Sequence, residues 1–402
     1  MTHSRFAGLL LLIAVLTDFS GFVVVFAVSR TLAEAGAEPW YLGLAGAGLS
    51  LSVGLASVLS GWLAHRFDSR FVFSAGTIAI AVSTIACGLG EAERAWFLPR
   101  YWLLGAGLGF VYPPLIAWLN RGNRSDADGR DISRRLILFC VAWNTGMMAG
   151  QLTAGSLFAI GPQWTYGVGL IVATLNVALA LYAALALHHL DDEPQTEAHP
   201  VEPNRSVELA SRFKRLSWIA NLGGMFGGSL VIHLLPDLAV TIGVAADRHG
   251  SLLACWRAVI IATYLLLHFT HFWHYRFRVS LVSQILGALG LAVISQAESA
   301  TGCLLGLTLL GQLVGFNYFS GLYYSTLGSA QPNRALAAGL HEATLAVGMA
   351  LGTIVGGALG TVFNQRLPYL LAAALLLASA AAQSAIRWKW MRSNEENPGH
   401  RR

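Results

Sequence analysis

LGAGLGFVY, residues 104–112, returns later in the chain as LGQLVGFNY, residues 310–318, so that both stretches read Leu-Gly-x-x-x-Gly-Phe-x-Tyr. A second pattern, Gly-Met-x-x-Gly-x-x-x-x-Gly-x-Leu, begins at Gly146 and begins again at Gly348. The two patterns follow each other in the same order both times. This repetition indicates that the chain is built from two similar halves.

The repeated patterns lie inside long apolar segments. The chain is 55% hydrophobic and only 12% charged, whereas a soluble protein carries about 25% charged residues. A helix of ~20 apolar residues crosses the hydrocarbon core of a bilayer. We therefore predict an all-α integral membrane protein with twelve transmembrane helices. The predicted spans are 6–29, 40–64, 71–90, 97–119, 136–159, 166–188, 216–237, 250–272, 279–296, 301–326, 336–360 and 367–388.

A polar, proline-containing segment at 189–215 separates the first six predicted spans from the last six. We interpret it as a cytoplasmic linker between an N-terminal six-helix bundle at 1–188 and a C-terminal six-helix bundle with a short tail at 216–402. Duplicated sets of membrane helices are typical of secondary transporters, in which two similar halves move about a central site. Such a duplication is hard to explain in a receptor or a membrane enzyme.

The positions of the basic residues predict how the chain is oriented. Cytoplasmic loops of membrane proteins collect Lys and Arg. Most of the 26 basic residues fall on the side that also holds both termini, so we expect both termini in the cytoplasm and the protein in the cell membrane. The net charge of +5 is spread over short loops without a basic block, which argues against a nucleic-acid partner. The exceptions lie in loops on the other side or within spans: Arg30, Arg94, Arg248, Arg366, Arg100 and Arg257.

The segment GWLAHRFDSR, which begins at Gly61, resembles a motif of the major facilitator superfamily. In that superfamily the loop between spans 2 and 3 has the form Gly-x-x-x-Asp-Arg-x-Gly-Arg-Arg. This chain keeps Gly61, Arg66 and Arg70 of the motif, while His65 stands at the position of the aspartate. In span 4, residues 100–105 match the Arg-x-x-x-x-Gly pattern of the same superfamily.

The resemblance covers nearly the whole chain and implies the major facilitator fold, with two pseudo-symmetric six-helix bundles and a monomeric protein. It also implies a cytoplasmic gate loop formed here by Gly61, Arg66, Asp68 and Arg70, in which Asp68 offers the missing carboxylate from a shifted position. Span 5 lacks the proline of the Gly-Pro-x-x-Gly-Gly pattern found in antiporters of the superfamily. That departure weakens the interpretation as a multidrug antiporter.

Charged side chains within the predicted spans are functional candidates, because a charge at mid-membrane costs ~2.5–3.5 kcal/mol even on lenient scales. Asp18 lies near the middle of span 1 and Arg100 near one end of span 4. Both spans line the central cavity in the resembled fold. Arg257 lies in span 8 and Glu342 in span 11, and His341, a residue type that titrates near neutral pH, precedes Glu342.

These five residues are our candidates for proton coupling. The sequence permits an Asp18–Arg100 pair and an Arg257–Glu342 pair, each of which can be made and broken as protons bind and leave. The alternative interpretation is that both are permanent ion pairs that hold helices together. The sequence leaves the two interpretations open.

Aromatic and amide side chains in the spans are candidates for contact with a solute, because a few polar groups among aromatic faces suit a polar organic molecule at the bilayer midplane. Each such residue can instead form a hydrogen bond between helices. The candidates are Tyr112, Trp143, Asn144, Gln312, Asn317 and Tyr318.

Catalysis and bound metal are not expected. The chain has no HExxH or GxSxG motif and no GxxxxGK[ST] pattern for ATP, its four cysteines form no C-x-x-C pair, and we predict neither an enzyme nor a cofactor. The histidines of the H-x-x-H-x-x-H run at 268–274 spread over roughly 120° of a helix surface, too widely for three ligands to one metal.

We therefore expect a secondary active transporter that moves a small polar organic solute by alternating access, coupled to protons, with the lipid bilayer as its surroundings. Two alternatives remain open at this point: an uncoupled facilitator of the same fold, and a non-transporting membrane sensor or accessory protein.

Overall fold

The computed structural model describes residues 3–90, 96–119, 129–187, 205–329 and 334–396, and within these ranges the secondary structure is helical. The helices are α1 (His3–Glu34), α2 (Pro39–Arg66), α3 (Ser69–Gly88), α4 (Phe97–Leu119), α5 (Gly129–Phe158), α6 (Pro162–Leu187), α7 (Arg205–His233), α8 (Leu235–Thr241), α9 (Ala246–Phe269), α10 (Phe277–Ser295), α11 (Ala300–Leu327), α12 (Arg334–Val362) and α13 (Leu367–Glu396).

Nine helices of the described residues are long and apolar enough to cross a membrane: α1, α2, α3, α6, α9, α10, α11, α12 and α13. The pair α7 and α8, bent by 46° at its break, adds a tenth when it is counted as one span. Large apolar side chains such as Leu55, which is 72% exposed, and Leu185, which is 71% exposed, cover the outer surface. The protein is thus a multi-pass membrane protein, and the count of twelve spans stays a prediction.

The helices of the two halves pack in matching pairs. In the first half, α1 packs against α5 and α6, and α4 packs against α2 and α3; in the second half, α7 packs against α12 and α13, and α11 packs against α9 and α10. The repeated glycines set these crossings. A Cβ on Gly146 would overlap the carbonyl oxygen of Val15, and a Cβ on Gly348 would lie 2.6 Å from that of Leu222. Glycine lets helix backbones approach closely in lipid, so the repeated sequence produces a repeated packing.

Two helix pairs, α2 with α12 and α5 with α9, form the seam between the halves. We call the end of the bundle where α1 begins the N-terminal face and the opposite end the distal face. Near the distal face a Cβ on Gly43 would come within 2.9 Å of the Cα of Gly357, and one on Gly155 within 2.7 Å of the Cα of Gly250. The backbones therefore touch there at both crossings of the seam.

Two hydrogen bonds also join the halves near the distal face. The Nη2 atom of Arg30 donates to the carbonyl oxygen of Val244 at 3.0 Å, and the backbone N–H of Trp40 donates to Oγ1 of Thr361 at 2.8 Å. Together with the glycine contacts they close the distal half of the seam.

Between α2 and α12 the seam opens toward the N-terminal face. A Cβ on Gly54 would still lie 3.3 Å from the Cβ of Ala346. One turn further along α2, Val58 is 75% exposed, and a Cβ on Gly61 would meet no atom of the described residues within 4 Å. Glu342 lies one turn from Ala346 on the same face of α12, since residues four apart share a face, and its side chain is exposed. The structure is thus closed at the distal face and open along this part of the seam.

The predicted segment boundaries need two corrections. Residues 205–215, which we placed in the linker, belong to α7, because a helix can extend past the hydrocarbon core and hydropathy does not record where it begins. Predicted span 7 is broken between α7 and α8, where Pro236 follows the break. Residues 188–204 of the linker lie outside the described residues, and the division into bundles at 1–188 and 216–402 stays a prediction.

Candidate functional site

A cluster of polar side chains lies in the middle of the bundle, where α1, α4, α5 and α9 meet. Asp18, Asn144, Arg257 and Tyr264 are buried, and Tyr112 is partly buried. We call these five residues the central cluster. Three of the four helices belong to the first half and α9 to the second, so the cluster spans the seam.

Asp18 is completely buried and is bonded by a residue of the repeated sequence. The hydroxyl of Tyr112 donates to its Oδ1 atom. Its Oδ2 atom has no hydrogen-bond partner among the described residues. Arg257, which belongs to the other half of the chain, acts on this carboxylate through space.

Arg257 extends from α9 across the seam toward α1. Its guanidinium lies over the ring of Phe22, with 5.1 Å from Cζ to the ring centroid, and over that of Trp256 at 4.4 Å. Nη1 donates to Oδ1 of Asn144 at 3.5 Å, while Nε is buried without a partner among the described residues. Within that part of the chain, no carboxylate oxygen lies within the 4.0 Å of an ion pair with Arg257.

Asn144 connects the cluster across the seam. Its Nδ2 atom donates to the carbonyl oxygen of Cys140 at 3.1 Å and to the hydroxyl of Tyr264 at 3.4 Å. Because its Oδ1 atom accepts from Arg257, the amide orients two side chains of α9 from its place on α5.

The second tyrosine of the repeat also bonds a carboxylate. The hydroxyl of Tyr318 donates to Oε1 of Glu342 at 3.2 Å. The ring of Tyr318 packs against Trp143 at 5.2 Å and Tyr264 at 6.1 Å between ring centroids. We call Trp143, Tyr264 and Tyr318 the aromatic wall. It connects Glu342, which faces the open part of the seam, to the central cluster.

The arginine pairings considered from the sequence are not formed. Arg100 is exposed at the distal end of α4, and its Nη1 lies 3.5 Å from the carbonyl oxygen of Ala86. It sits twelve residues, roughly 18 Å of helix, from Tyr112, the residue that bonds Asp18 in its place. Glu342 likewise accepts its hydrogen bond from Tyr318 and not from Arg257.

Two residues predicted to contact the solute, Gln312 and Asn317, form hydrogen bonds between helices. Oε1 of Gln312 accepts from Oγ of Ser283, and Nε2 donates to the Ser283 carbonyl, both at 2.9 Å. Nδ2 of Asn317 donates to the carbonyl oxygen of Ala220 at 3.0 Å. These residues join α11 to α10 and to α7, and the structure does not bring them into the central cluster.

His341 is completely buried beside Glu342, with its ring 5.4 Å from that of Tyr318, and neither ring nitrogen has a partner among the described residues.

Two residues of the site, Tyr264 and Phe22, were not predicted from the sequence. A signal for Tyr264 was present, because it follows Arg257 by seven residues and so shares its helix face.

The gate-loop residues lie at the N-terminal face. Asp68 caps α3, accepting from the backbone N–H of Arg70 at 2.9 Å and from its Nε at 2.6 Å. Arg66, the last residue of α2, lies over the ring of Trp62 at 4.5 Å. Gly61 lies on the open part of the seam. Their gating role stays a prediction.

The described residues contain no group of three or more His, Cys, Asp or Glu side chains placed to hold a metal ion. The rings of His271 and His274 are 5.2 Å apart, but His274 stacks on Tyr323, with 5.0 Å between centroids. This histidine run therefore packs into an aromatic cluster.

Comparison with solved structures shows what fold this chain shares. It is similar to a bacterial homolog of the human lysosomal transporter Spinster in an inward-facing and occupied conformation, with a TM-score of 0.70, 15% identity and 97% of both chains covered. It is similar to an auto-inhibited POT family peptide transporter, with a TM-score of 0.71, 12% identity, and 95% of this chain and 96% of that one covered. For the nucleoside transporter NupG the TM-score is 0.68 at 14% identity, over 95% of this chain and 98% of that one.

The sequence itself gives a family match. No curated protein matches the chain, but the sequence profile described as Major Facilitator Superfamily matches residues 10–330. The matched region contains both copies of the repeated tyrosine pattern and most of the described helices. The chain therefore belongs to the major facilitator superfamily.

Proposed function

We propose that this membrane transporter is a secondary active transporter, which moves a small polar organic solute by alternating access and is coupled to protons. The observation that carries the proposal is the pair of carboxylates within the bundle, Asp18 and Glu342, each bonded by the tyrosine of one copy of the repeat. Solved structures of similar fold are those of nucleoside and peptide transporters, which supports a polar organic solute.

The seam supports alternating access. Its distal half is closed by glycine backbone contacts, and between α2 and α12 its other half is open. A rocking movement of two similar halves would exchange these two states around the central cluster. The same movement would separate Asn144 from Arg257, because the two residues belong to different halves.

The chemistry of the tyrosine–carboxylate pairs supports proton coupling. A tyrosine hydroxyl can donate to a charged carboxylate and can accept from a protonated one. Asp18 and Glu342 can therefore bind and release a proton without losing their tyrosine partners. Glu342 is exposed at the open part of the seam and Asp18 is buried in the interior, so the aromatic wall lies between an exposed carboxylate and a buried one.

We further propose that the protein acts as a monomer in the cell membrane with both termini in the cytoplasm. The distribution of Lys and Arg supports this orientation. In this orientation the open part of the seam faces the cytoplasm. The bundles at 1–188 and 216–402 would be the two moving units.

A reconstitution experiment tests the proposal. Polar organic solutes that raise the melting temperature of the purified protein are offered to proteoliposomes with and without a pH gradient. We expect uptake that depends on the gradient and moves protons with the solute. Asp18→Asn and Glu342→Gln should reduce gradient-driven uptake by about tenfold or more, or ~1.4 kcal/mol, and Glu208→Gln, which removes an exposed carboxylate paired with Arg212, is the control.

The outcomes separate the alternatives. If both variants keep gradient-driven uptake at the full rate, the carboxylates are not the proton carriers. Solute uptake without proton movement would identify an uncoupled facilitator. Binding without counterflow would identify a sensor or accessory protein.

A further inference from the structure

Arg257 carries a buried charge that has no counter-ion in direct contact. The residue is only 4% exposed. A buried charge is costly unless it is paired and hydrogen-bonded, and most so when one partner is missing. Among the described residues its contacts are two aromatic faces and one long hydrogen bond to the neutral amide of Asn144.

Aromatic faces attract a guanidinium but do not replace an anion. Such a contact stabilises the ion by less than its desolvation costs. Asp18 acts on Arg257 through space, but the two form no ion pair and Asp18 Oδ2 keeps no partner of its own. Arg257 thus has donor atoms to offer, among them the buried Nε, at the point where the two halves meet.

The shape of a guanidinium fits one class of anion best. Its N–H groups form a planar fork that binds a carboxylate through two parallel hydrogen bonds. The Nε and one Nη atom make up one edge of that fork. Among the described residues Nε is unpaired, while Nη1, which lies outside that edge, holds the 3.5 Å bond to Asn144.

The surroundings indicate the rest of the ligand. Tyr264 lies two turns from Arg257 on the same helix, and the aromatic wall continues from it through Tyr318 to Trp143. Flat apolar groups stack favourably against such faces. The aromatic wall lies between Arg257 and Glu342, so aromatic faces line the interior from the guanidinium to the open part of the seam.

We infer that the solute is a small organic carboxylate with a flat, unsaturated body, whose carboxylate binds the Arg257 guanidinium between the halves. This inference rests on the proposed function and names its substrate class. Because Arg257 belongs to the second half and lies over Phe22 of the first, a carboxylate bound there contacts both halves at once.

Matched ligand pairs test the inference on the full-length protein. Benzoate, nicotinate and indole-3-carboxylate are each compared with the corresponding primary amide, by melting temperature and by calorimetry. The amides keep the ring and lose the charge. We expect at least one carboxylate to bind, and its amide to bind about tenfold more weakly or worse, because a charge-assisted pair is about twice as strong as a neutral one.

Variants on α9 assign the contact. Arg257→Gln should reduce carboxylate affinity by about tenfold or more, and Arg257→Lys should recover part of it, since Lys keeps the charge but not the fork. Arg248→Gln removes an exposed arginine from the same helix and should bind as the wild-type protein does. If Arg257→Gln does not fold, the comparison of carboxylates with amides on the wild-type protein decides the question alone.

Three results would overturn the inference. The first is equal binding of carboxylates and amides, and the second is no carboxylate binding while a neutral solute is taken up. The third is an Arg257→Gln protein that binds the carboxylates as tightly as the wild-type protein. Gradient-driven uptake of a neutral solute would leave the proposed function standing, whereas absence of any coupled uptake would remove the proposed function itself.

Discussion

The two copies of the repeat share their backbone contacts but differ in their charges. Gly146 and Gly348 occupy equivalent crossings: a Cβ on the first would lie 3.0 Å from the Cβ of Asp18, and one on the second 3.2 Å from that of Met225. Asp18 in the first half therefore corresponds to an uncharged methionine in the second. The second half has its carboxylate on α12 instead, at Glu342.

This difference distinguishes the glycines that hold the helices together from the carboxylates that we propose to act in transport. Backbone contact at a helix crossing admits only glycine, so both copies keep it. A carboxylate has to meet the tyrosine of its own half, and it can do so from different helices, α1 in one half and α12 in the other. We therefore expect substitution of the shared glycines to reduce stability equally in both halves. Substitution of the polar residues should have a different effect in each half.

The largest expected effect comes from the shared glycines. Gly146→Leu and Gly348→Leu each place a side chain against the backbone of the crossing helix, and each should reduce stability by about 3 kcal/mol or more. The measurement is thermal or denaturant unfolding in detergent. Gly167→Leu, in α6 with no atom within 4 Å of a Cβ, is the control and should fold normally. Unequal effects in the two halves would contradict the shared scaffold.

The repeated tyrosines should differ in a defined order. Tyr112→Phe leaves the completely buried Asp18 without its donor, and we expect a loss of about 1–3 kcal/mol of stability together with slower uptake. Tyr318→Phe should lose less stability, because Glu342 is exposed and water can replace the donor. Denaturant unfolding of both variants gives the ranking, and an equal or reversed loss would contradict the stated difference in exposure between the two carboxylates.

Asn317 provides a smaller contrast. The equivalent position in the first copy is Val111, so Asn317→Val gives the second half the residue of the first. The change removes the 3.0 Å bond to Ala220 between α11 and α7, and we expect a loss of about 1 kcal/mol. Since Asn317 lies outside the central cluster, solute affinity measured by calorimetry should stay unchanged. A change in solute affinity would show that Asn317 contributes to solute binding.

The smallest effect is expected in the loops that follow α2 and α9. The first loop has the charged cap Asp68, and the second has His274, packed against Tyr323. Burial, and then the neighbouring His271, lower the pKa of His274 from 6.5. The unfolded chain thus binds the proton more readily, so stability should be full above about pH 6.5 and should fall slightly below it.

A melting-temperature profile against pH checks this expectation. His274→Gln should remove part of the fall at acidic pH, while Asp68→Ala should lower stability by about 1 kcal/mol through loss of the cap without changing that part of the profile. An identical acid profile for His274→Gln and the wild-type protein would exclude the histidine as its source.

Much of the fold follows from the sequence because it depends on local signals. Apolar runs predict the long helices, and the repeated glycines predict the repeated crossings. The point where a helix begins or ends is harder to predict. The helix α7 begins at Arg205, well before its apolar run, because outside the lipid polar residues can form either a helix or a loop.

The site was only partly predictable for a different reason. Spacing places Tyr112 and Asp18 at similar depths, but it does not show which side chain of α4 meets Asp18; Arg100, roughly 18 Å of helix from Tyr112, lies near the Ala86 carbonyl instead. The contact between Asn144 and Arg257 joins two halves, so it depends on how the bundles dock and not on either segment alone. Gln312 was proposed to contact a solute because an amide in a span carries the same signal whether it faces a helix or a cavity.

The glycine contacts at the distal face have a consequence for the thermodynamics of opening. Burying a side chain usually freezes its rotamers, at up to ~2 kcal/mol for the longest ones, but glycine has none to freeze. Gly43 against Gly357 and Gly155 against Gly250 can therefore associate and separate without that entropy term. What holds them is dispersion, which fades within about an ångström of separation. A small displacement is then enough to release the glycine contacts, and the two hydrogen bonds of Arg30 and Trp40 are the directional contacts that must break with them.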